Sequence, residues 1–236
     1  MQRSSETLPS GFYGDKVLTN KYEADTGTKP GRDKGFKLGT ATDLDADMEI
    51  TYGYGSKGRL NSVTDTNGTY TYSRVADSNM IGTTTHPNGL TRTRAYEPER
   101  NLVDYVENDV SGTTVSKYNY TNDAAGKRAE VVMTGTAFDS DTFNKYGYNS
   151  REEVTGAQKY NGTDPSDTSN PVTSYDYQLA YDPIGNRETY TDAGTQTDYT
   201  ANSLNQYDTV STMSDPTHDA DGNMTLMPSS SGAWDL

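Results

Sequence analysis

Tyr181-Asp182-Pro183-Ile184-Gly185-Asn186-Arg187 reads as a strand end, a tight turn and a strand start compressed into seven residues. The aromatic closes an extended run, Asp and Pro open the turn, Gly closes it, and a basic residue begins the return. Tyr54-Gly55-Ser56-Lys57-Gly58-Arg59-Leu60 repeats the pattern. Several copies are preceded by Tyr-x-Tyr: Tyr52/Tyr54, Tyr70/Tyr72, Tyr118/Tyr120, Tyr146/Tyr148 and Tyr175/Tyr177. A separation of two places both rings on one side of a strand. The repeated object is therefore a strand, a turn and a returning strand.

Working outward, the turns fall at Gly58, Arg100, Gly126, Glu152, Gly185, Asn205 and Gly222, at steps of 42, 26, 26, 33, 20 and 17 residues. The first step reads as a double one, with a degenerate copy near Tyr72 to Ile81. Two strands and two turns account for a spacing in the low twenties. At the opposite ends of the hairpins, Asn67-Gly68, Asn88-Gly89 and Asn161-Gly162 supply the positive backbone angles that two-residue turns require. The segment 162–171 reads as a loop insertion, and no stretch carries a capped helical period. The expected fold is all-β: tandem antiparallel hairpins laid side by side in a curved sheet. Three regions are expected, namely an irregular lead-in over 1–34, the repeat domain over 35–228, and a truncated tail over 229–236.

Only 31% of the 236 residues are hydrophobic, and the mean hydropathy is −0.93. Such values alone lean toward disorder. The 19 tyrosines, against 4 Phe and 1 Trp, reverse that reading because they keep register with the turns. Tyrosine buries its ring while its hydroxyl stays wet or hydrogen-bonded, so a tyrosine-rich sheet needs few aliphatics.

The net charge of −14 and the absence of clustered Lys and Arg exclude nucleic acid as the expected partner. With no cysteine, disulfides, thiolate catalysis and thiolate metal sites are excluded. No apolar run is long enough for membrane insertion, and no signal peptide is visible at Met1 to Glu6. The end at Ser229 to Leu236, just past a turn, reads as a cut from a longer protein.

The tandem units at 181–187, 123–128 (Asp-Ala-Ala-Gly-Lys-Arg), 202–207 (Asn-Ser-Leu-Asn-Gln-Tyr) and 219–224 (Asp-Ala-Asp-Gly-Asn-Met) resemble the YD repeats of RHS-type proteins, a repeat that teneurins share. The resemblance covers roughly 35–228. It implies a long sheet that spirals into a hollow shell, which in bacteria often encloses a toxic C-terminal domain and elsewhere serves as a surface or secreted scaffold. The chain is far shorter than a closed shell, so it is expected to form an arc of wall with open sheet edges. Asp182-Pro183-Ile184-Gly185 superficially matches the Asp-Pro-x-Gly self-cleavage signature of RHS toxins, yet it sits inside an ordinary repeat turn.

Residues that could carry chemistry all have simpler readings. His86 belongs to a turn with Pro87-Asn88-Gly89, His218 replaces a repeat aromatic, and no Gly-x-Ser-x-Gly elbow is present. Asp43/Asp45/Asp47/Glu49 resembles the opening of a calcium loop, but Met48 and Tyr54 stand where an EF-hand needs Gly and Glu. The expected role is a non-catalytic wall segment that encloses or displays a cargo, with no cofactor and no metal. Its expected partners are further repeats or copies of itself at open sheet edges, an enclosed toxin, or a surface carbohydrate, and its place is secreted or on a cell surface. The residues expected to define it are Tyr52, Tyr54, Gly58, Arg59, Tyr118, Tyr120, Gly126, Tyr146, Tyr148, Tyr175, Tyr177, Tyr181, Asp182, Gly185, Asn186, Asn205, Gly222 and Asn223. The alternative is a binding module whose exposed Tyr ladders grip carbohydrate. A hydrolase built on dispersed Asp and Ser would need a compact cluster including His86 or His218.

Overall fold

The computed structural model describes residues 5–7, 16–24, 29–40, 48–229 and 232–235, all of them strand, turn or irregular. The calcium-like stretch Asp43 to Asp47 lies outside them. The chain divides into two compact units, 1–115 and 116–236.

The first unit contains β1 (Ser5–Thr7), β2 (Lys16–Tyr22), β3 (Asp33–Thr40), β4 (Met48–Tyr54), β5 (Leu60–Asp65), β6 (Gly68–Arg74), β7 (Ile81–Thr85), β8 (Leu90–Tyr96) and β9 (Val103–Val110). Each pairs antiparallel with the next. The chain passes into the second unit within β10 (Thr113–Asn122). There β10, β11 (Arg128–Thr134), β12 (Thr142–Tyr148), β13 (Val154–Asn161), β14 (Pro171–Tyr181), β15 (Arg187–Asp192), β16 (Thr195–Ala201) and β17 (Tyr207–Val210) pair antiparallel, each with the next. A separate three-stranded sheet follows, made of β18 (Thr217–His218), β19 (Met224–Ser229) and β20 (Gly232–Asp235).

Register explains the composition. In the second unit, Tyr120 pairs with Val131 and Val131 with Asn144; Tyr146 pairs with Ala157 and Ala157 with Tyr177. Because facing residues share a side, Tyr118, Tyr120, Tyr146, Tyr175, Tyr177, Tyr190 and Tyr199 all project from one face. The other face carries Glu130, Lys145, Gln158, Asp176 and Gln178 in successive strands. In the first unit Tyr52 pairs with Val63 and Val63 with Tyr70, while Thr51, Thr64 and Thr69 align on the reverse side. Val131 and Val210, 6% and 3% exposed, sit on the tyrosine face of the second unit. Phe143, 0% exposed, belongs to the polar face, where its ring stacks on Tyr160 at 4.9 Å. The 162–170 loop reaches the same face, its Pro165 carbonyl accepting from Lys145 Nζ at 2.8 Å.

Three expectations need correction. The lead-in over 1–34 holds β1, β2 and the start of β3; β2 pairs with β3 from Lys16↔Thr40 to Tyr22↔Asp33, although its own sequence lacks an apolar alternation. The tail over 229–236 likewise contains β20, paired with β19. The Asn-Gly pairs are not the two-residue turns. Asp65 faces Gly68, so Thr66-Asn67 forms that connection, Asn88-Gly89 lies in a longer turn, and Asn161-Gly162 begins the loop. Both angles are positive instead at Ser111-Gly112 (φ 54° and 83°) and Ala193-Gly194 (φ 47° and 86°), the geometry of tight primed hairpins.

Candidate functional site

The repeat turns share one hydrogen-bond plan. The amide of the first residue donates to the carbonyl of the fifth, and the amide of the fourth donates back to the carbonyl of the first. At Asp182 these bonds are 2.9 Å to Asn186 and 3.2 Å from Gly185. The same pair closes the turns beginning at Gly55, His86, Asp123, Asn149, Asn202 and Asp219. The fourth residue always has positive φ: Gly58, Gly89, Gly126, Glu152 (68°), Gly185, Asn205 (62°) and Gly222. Gly58, Gly126, Glu152, Gly185, Asn205 and Gly222, the positions by which the sequence analysis placed six of its turns, all occupy this fourth place. The degenerate copy is present as the turn Val75 to Met80, one residue longer. The turn assigned to Arg100 is longer too, and its positive φ falls on Asn101. Strand register slips at the residue before most of these turns, including Tyr54, Tyr148 and Tyr181, so each tyrosine enters its turn through a bulge.

In five of these seven turns the side chains at the first and fifth positions are chemically complementary, which the sequence reading missed. Asp182 accepts from the Asn186 amide group (2.8 Å), Asp219 from Asn223 (3.0 Å), and Asp123 from Lys127 (3.1 Å). Where the first residue is Asn, the donor is reversed: Asn149 donates to Glu153 at 2.5 Å and Asn202 to Gln206 at 3.0 Å. A carboxylate is followed four residues later by a donor, an amide donor by an acceptor. The hydrogen bonds have titration consequences. Backbone and side-chain donation from Lys127 holds the Asp123 carboxyl below its ordinary range, the Asn223 amide does the same for Asp219, and Asn149, then Arg151, for Glu153. At Asp182 desolvation pushes upward, but donation from Asn186, Ile184 and Gly185 outweighs it and the carboxyl is lowered.

Adjacent turns touch. In the second unit Lys127 reaches Glu152 (3.5 Å), Arg151 reaches the Asp182 carbonyl (2.5 Å), Asn186 donates to Asn205 (2.5 Å), and Gln206 donates to the Gly222 carbonyl (3.3 Å). In the first unit Arg59 donates to the Ser78 carbonyl at 2.6 Å and to Asn79 at 2.9 Å. The turn tyrosines latch one repeat to the one before. The hydroxyls of Tyr54 and Tyr148 donate to the carbonyls of Asp33 (2.7 Å) and Arg128 (2.8 Å), each the first strand residue after a preceding turn. Tyr96 does the same to Ile81 at 3.1 Å.

The remaining tyrosines contact one another and cations. Tyr118 stacks near Tyr120 at 6.5 Å and Tyr177 near Tyr190 at 6.2 Å. Arg128 lies 3.6 Å over Tyr120, and Lys159 lies 4.9 Å over Tyr175, which is 48% exposed. Tyr52 holds its strand position opposite Val63. The histidines are in different units: His86 meets Tyr70 edge-on at 5.4 Å, and His218 pairs with Met224. Among the described residues no group of three His, Asp or Glu is arranged to hold a metal, and no helix is long and apolar enough to cross a membrane.

This ladder of hairpins recurs in solved toxin assemblies. A chain of the TcdB2-TccC3-Cdc42 crystal structure superposes with a TM-score of 0.51 at 15% identity, over 83% of this chain and 12% of that one. A chain of the Photorhabdus luminescens Tc holotoxin pore superposes with a TM-score of 0.50 at 12% identity, over 89% of this chain and 17% of that one. Chains of Tc toxin complexes share its fold. At such identity the likeness concerns the fold alone, and this chain spans under a fifth of their length. No family model matches, and no curated protein matches.

Proposed function

We propose that the chain is a non-catalytic wall segment of an RHS-like shell, its repeats forming part of a larger sheet that encloses or displays a cargo. The observation that carries this reading is the contact between successive turns in the second unit, from Lys127 to Gly222. Each repeat spends its turn side chains on its neighbour, which is how a quasi-one-dimensional array is stabilised, by nearest-neighbour terms rather than a central core. Among the described residues few hydrophobics are buried, in agreement with that arrangement. The fold shared with the much longer Tc toxin chains supports the same reading, in which the parent protein is secreted and takes further repeat segments and an enclosed toxin as partners.

Light scattering combined with small-angle scattering across a concentration series tests it. The expected result is concentration-dependent association through strand edges, together with a rise in melting temperature when one further hairpin repeat is joined after β17. A compact monomer at every concentration, unaffected by the added repeat, overturns the proposal.

A further inference from the structure

The turn Gly55 to Arg59 breaks the complementarity rule. Its fifth residue is a cation, as in the Asp123/Lys127 turn, but its first residue is Gly, so the carboxylate that would neutralise the cation is missing. Arg59 is held instead through a single nitrogen, Nη1, on the Ser78 carbonyl and the Asn79 side chain. Beside it Arg74 uses Nη1 on the Leu60 carbonyl at 2.7 Å, while its Nε is buried without a partner. Among the described residues neither guanidinium has a carboxylate within ion-pair distance or an aromatic ring beneath it. The arginines that open strands in the second unit, Arg128 and Arg187, stand one place later in the repeat than Arg59; each also has a buried nitrogen without a partner, but both lie over tyrosine rings.

These two cations, Lys57 and the Asn61 amide line an open groove of about 420 Å³ between neighbouring turns. The only acid there is Asp77, 97% exposed and 4.0 Å from Lys57 Nζ. Gly55 leaves the groove floor clear, since a Cβ there would find nothing closer than 3.8 Å. In a chain of net charge −14, a half-buried pair of guanidiniums without counter-charge is electrostatically unfavourable unless an anion completes it. Arg forks match tetrahedral oxyanions in geometry, and the groove has room for the group that carries one.

We propose that the groove between the Gly55–Arg59 and Val75–Met80 turns binds a sulfate or phosphate group, free or as an ester, through Arg59, Arg74 and Lys57. Its acceptance of ligand depends on Gly55 standing where three other turns place an aspartate, at Asp123, Asp182 and Asp219. This proposal does not rest on the wall-segment reading.

The test is amide chemical-shift titration of the full chain with inorganic sulfate, inorganic phosphate and a sulfated disaccharide, at constant ionic strength set by chloride. Saturable shifts confined to residues 55–61 and 74–78 are expected. Tighter saturation by the disaccharide than by the free ions assigns the source as an ester, and equal or weaker saturation assigns it as the free ion; both support the site. Gly55→Asp introduces the aspartate found at the first place of the turns at Asp123, Asp182 and Asp219, at an ordinary φ, so it is expected to keep the fold while weakening binding at least tenfold, and Arg59→Gln is expected to do the same. Shifts that track total ionic strength, that do not saturate, or that survive Gly55→Asp in a folded protein overturn the proposal.

Discussion

The hydroxyl of Tyr148 donates to the carbonyl oxygen of Arg128 at 2.8 Å, tying the end of β12 to the first residue of β11. Tyr54 with Asp33 and Tyr96 with Ile81 make the same bond, so the tyrosine before each of these turns acts through its oxygen as well as its ring. Removing only that oxygen isolates the bond. Tyr148→Phe is expected to cost about 1 kcal/mol, the usual net value of one hydrogen bond with part of its partner's desolvation. Urea unfolding measures it, and an unchanged midpoint refutes the latch.

The first-and-fifth complementarity predicts a loss followed by a rescue. Asp182→Asn exchanges an acceptor for an amide facing the Asn186 donor and should cost about 1 kcal/mol, within the range for losing a capping-type bond. Adding Asn186→Gln recreates the pair seen at Asn202 and Gln206, and most of the loss should return. A double-mutant cycle decides it, and additive losses would mean that the two side chains are not coupled.

Those two relationships mark the limit of legibility in the sequence. Tyr-x-Tyr spacing located the aromatic face because a period of two is the strand's own geometry. Turn positions were legible even without glycine, at Glu152 and Asn205, because their neighbours kept the repeat's order. The complementary pairs were hidden because Asp-Asn, Asn-Glu and Asp-Lys look unrelated until donor and acceptor are assigned. The true tight hairpins at Ser111-Gly112 and Ala193-Gly194 were hidden because Ser and Ala carry no preference for positive φ, while Asn67-Gly68 carried the expected signal in the wrong place. β2 was hidden because pairing with β3, rather than its own pattern, makes it a strand.

Glu152 holds φ 68° where most other copies have Gly, a conformation costing an L-residue about 1 kcal/mol. Glu152→Gly should therefore stabilise the protein by up to about that amount, because its exposed contact with Lys127 at 3.5 Å contributes little. Gly126→Ala, at φ 86°, should destabilise by a similar amount. Paired thermal melts read both signs at once, and a stabilised Gly126→Ala would contradict the turn geometry.

Phe143 is the only described residue among the largest fully buried side chains, and it stacks on Tyr160 away from the tyrosine face. Phe143→Ala should cost about 3–5 kcal/mol, as for large aromatic truncations in a packed interior. Hydrogen exchange should show the loss concentrated in β12 and β13, and a cost below about 1 kcal/mol would mean that the cluster is dispensable.

The turn carboxylates set the response to acid. Asp123, Asp182, Asp219 and Glu153 are all lowered in the folded chain from ordinary values of 3.8 for Asp and 4.5 for Glu. Below those values the unfolded chain binds more protons than the folded one, so stability falls as pH falls. Their contribution is complete above about pH 5.5, declines as the pH drops through 4.5 and 3.8, and is lost once the folded carboxyls protonate. Asp182→Asn with Asn186→Gln removes one titrating group while keeping its hydrogen bond. The double variant should lose less stability between pH 5.5 and pH 3 than the parent, and denaturant midpoints across that interval test it. Identical acid slopes would assign the pH response to charges outside the turns.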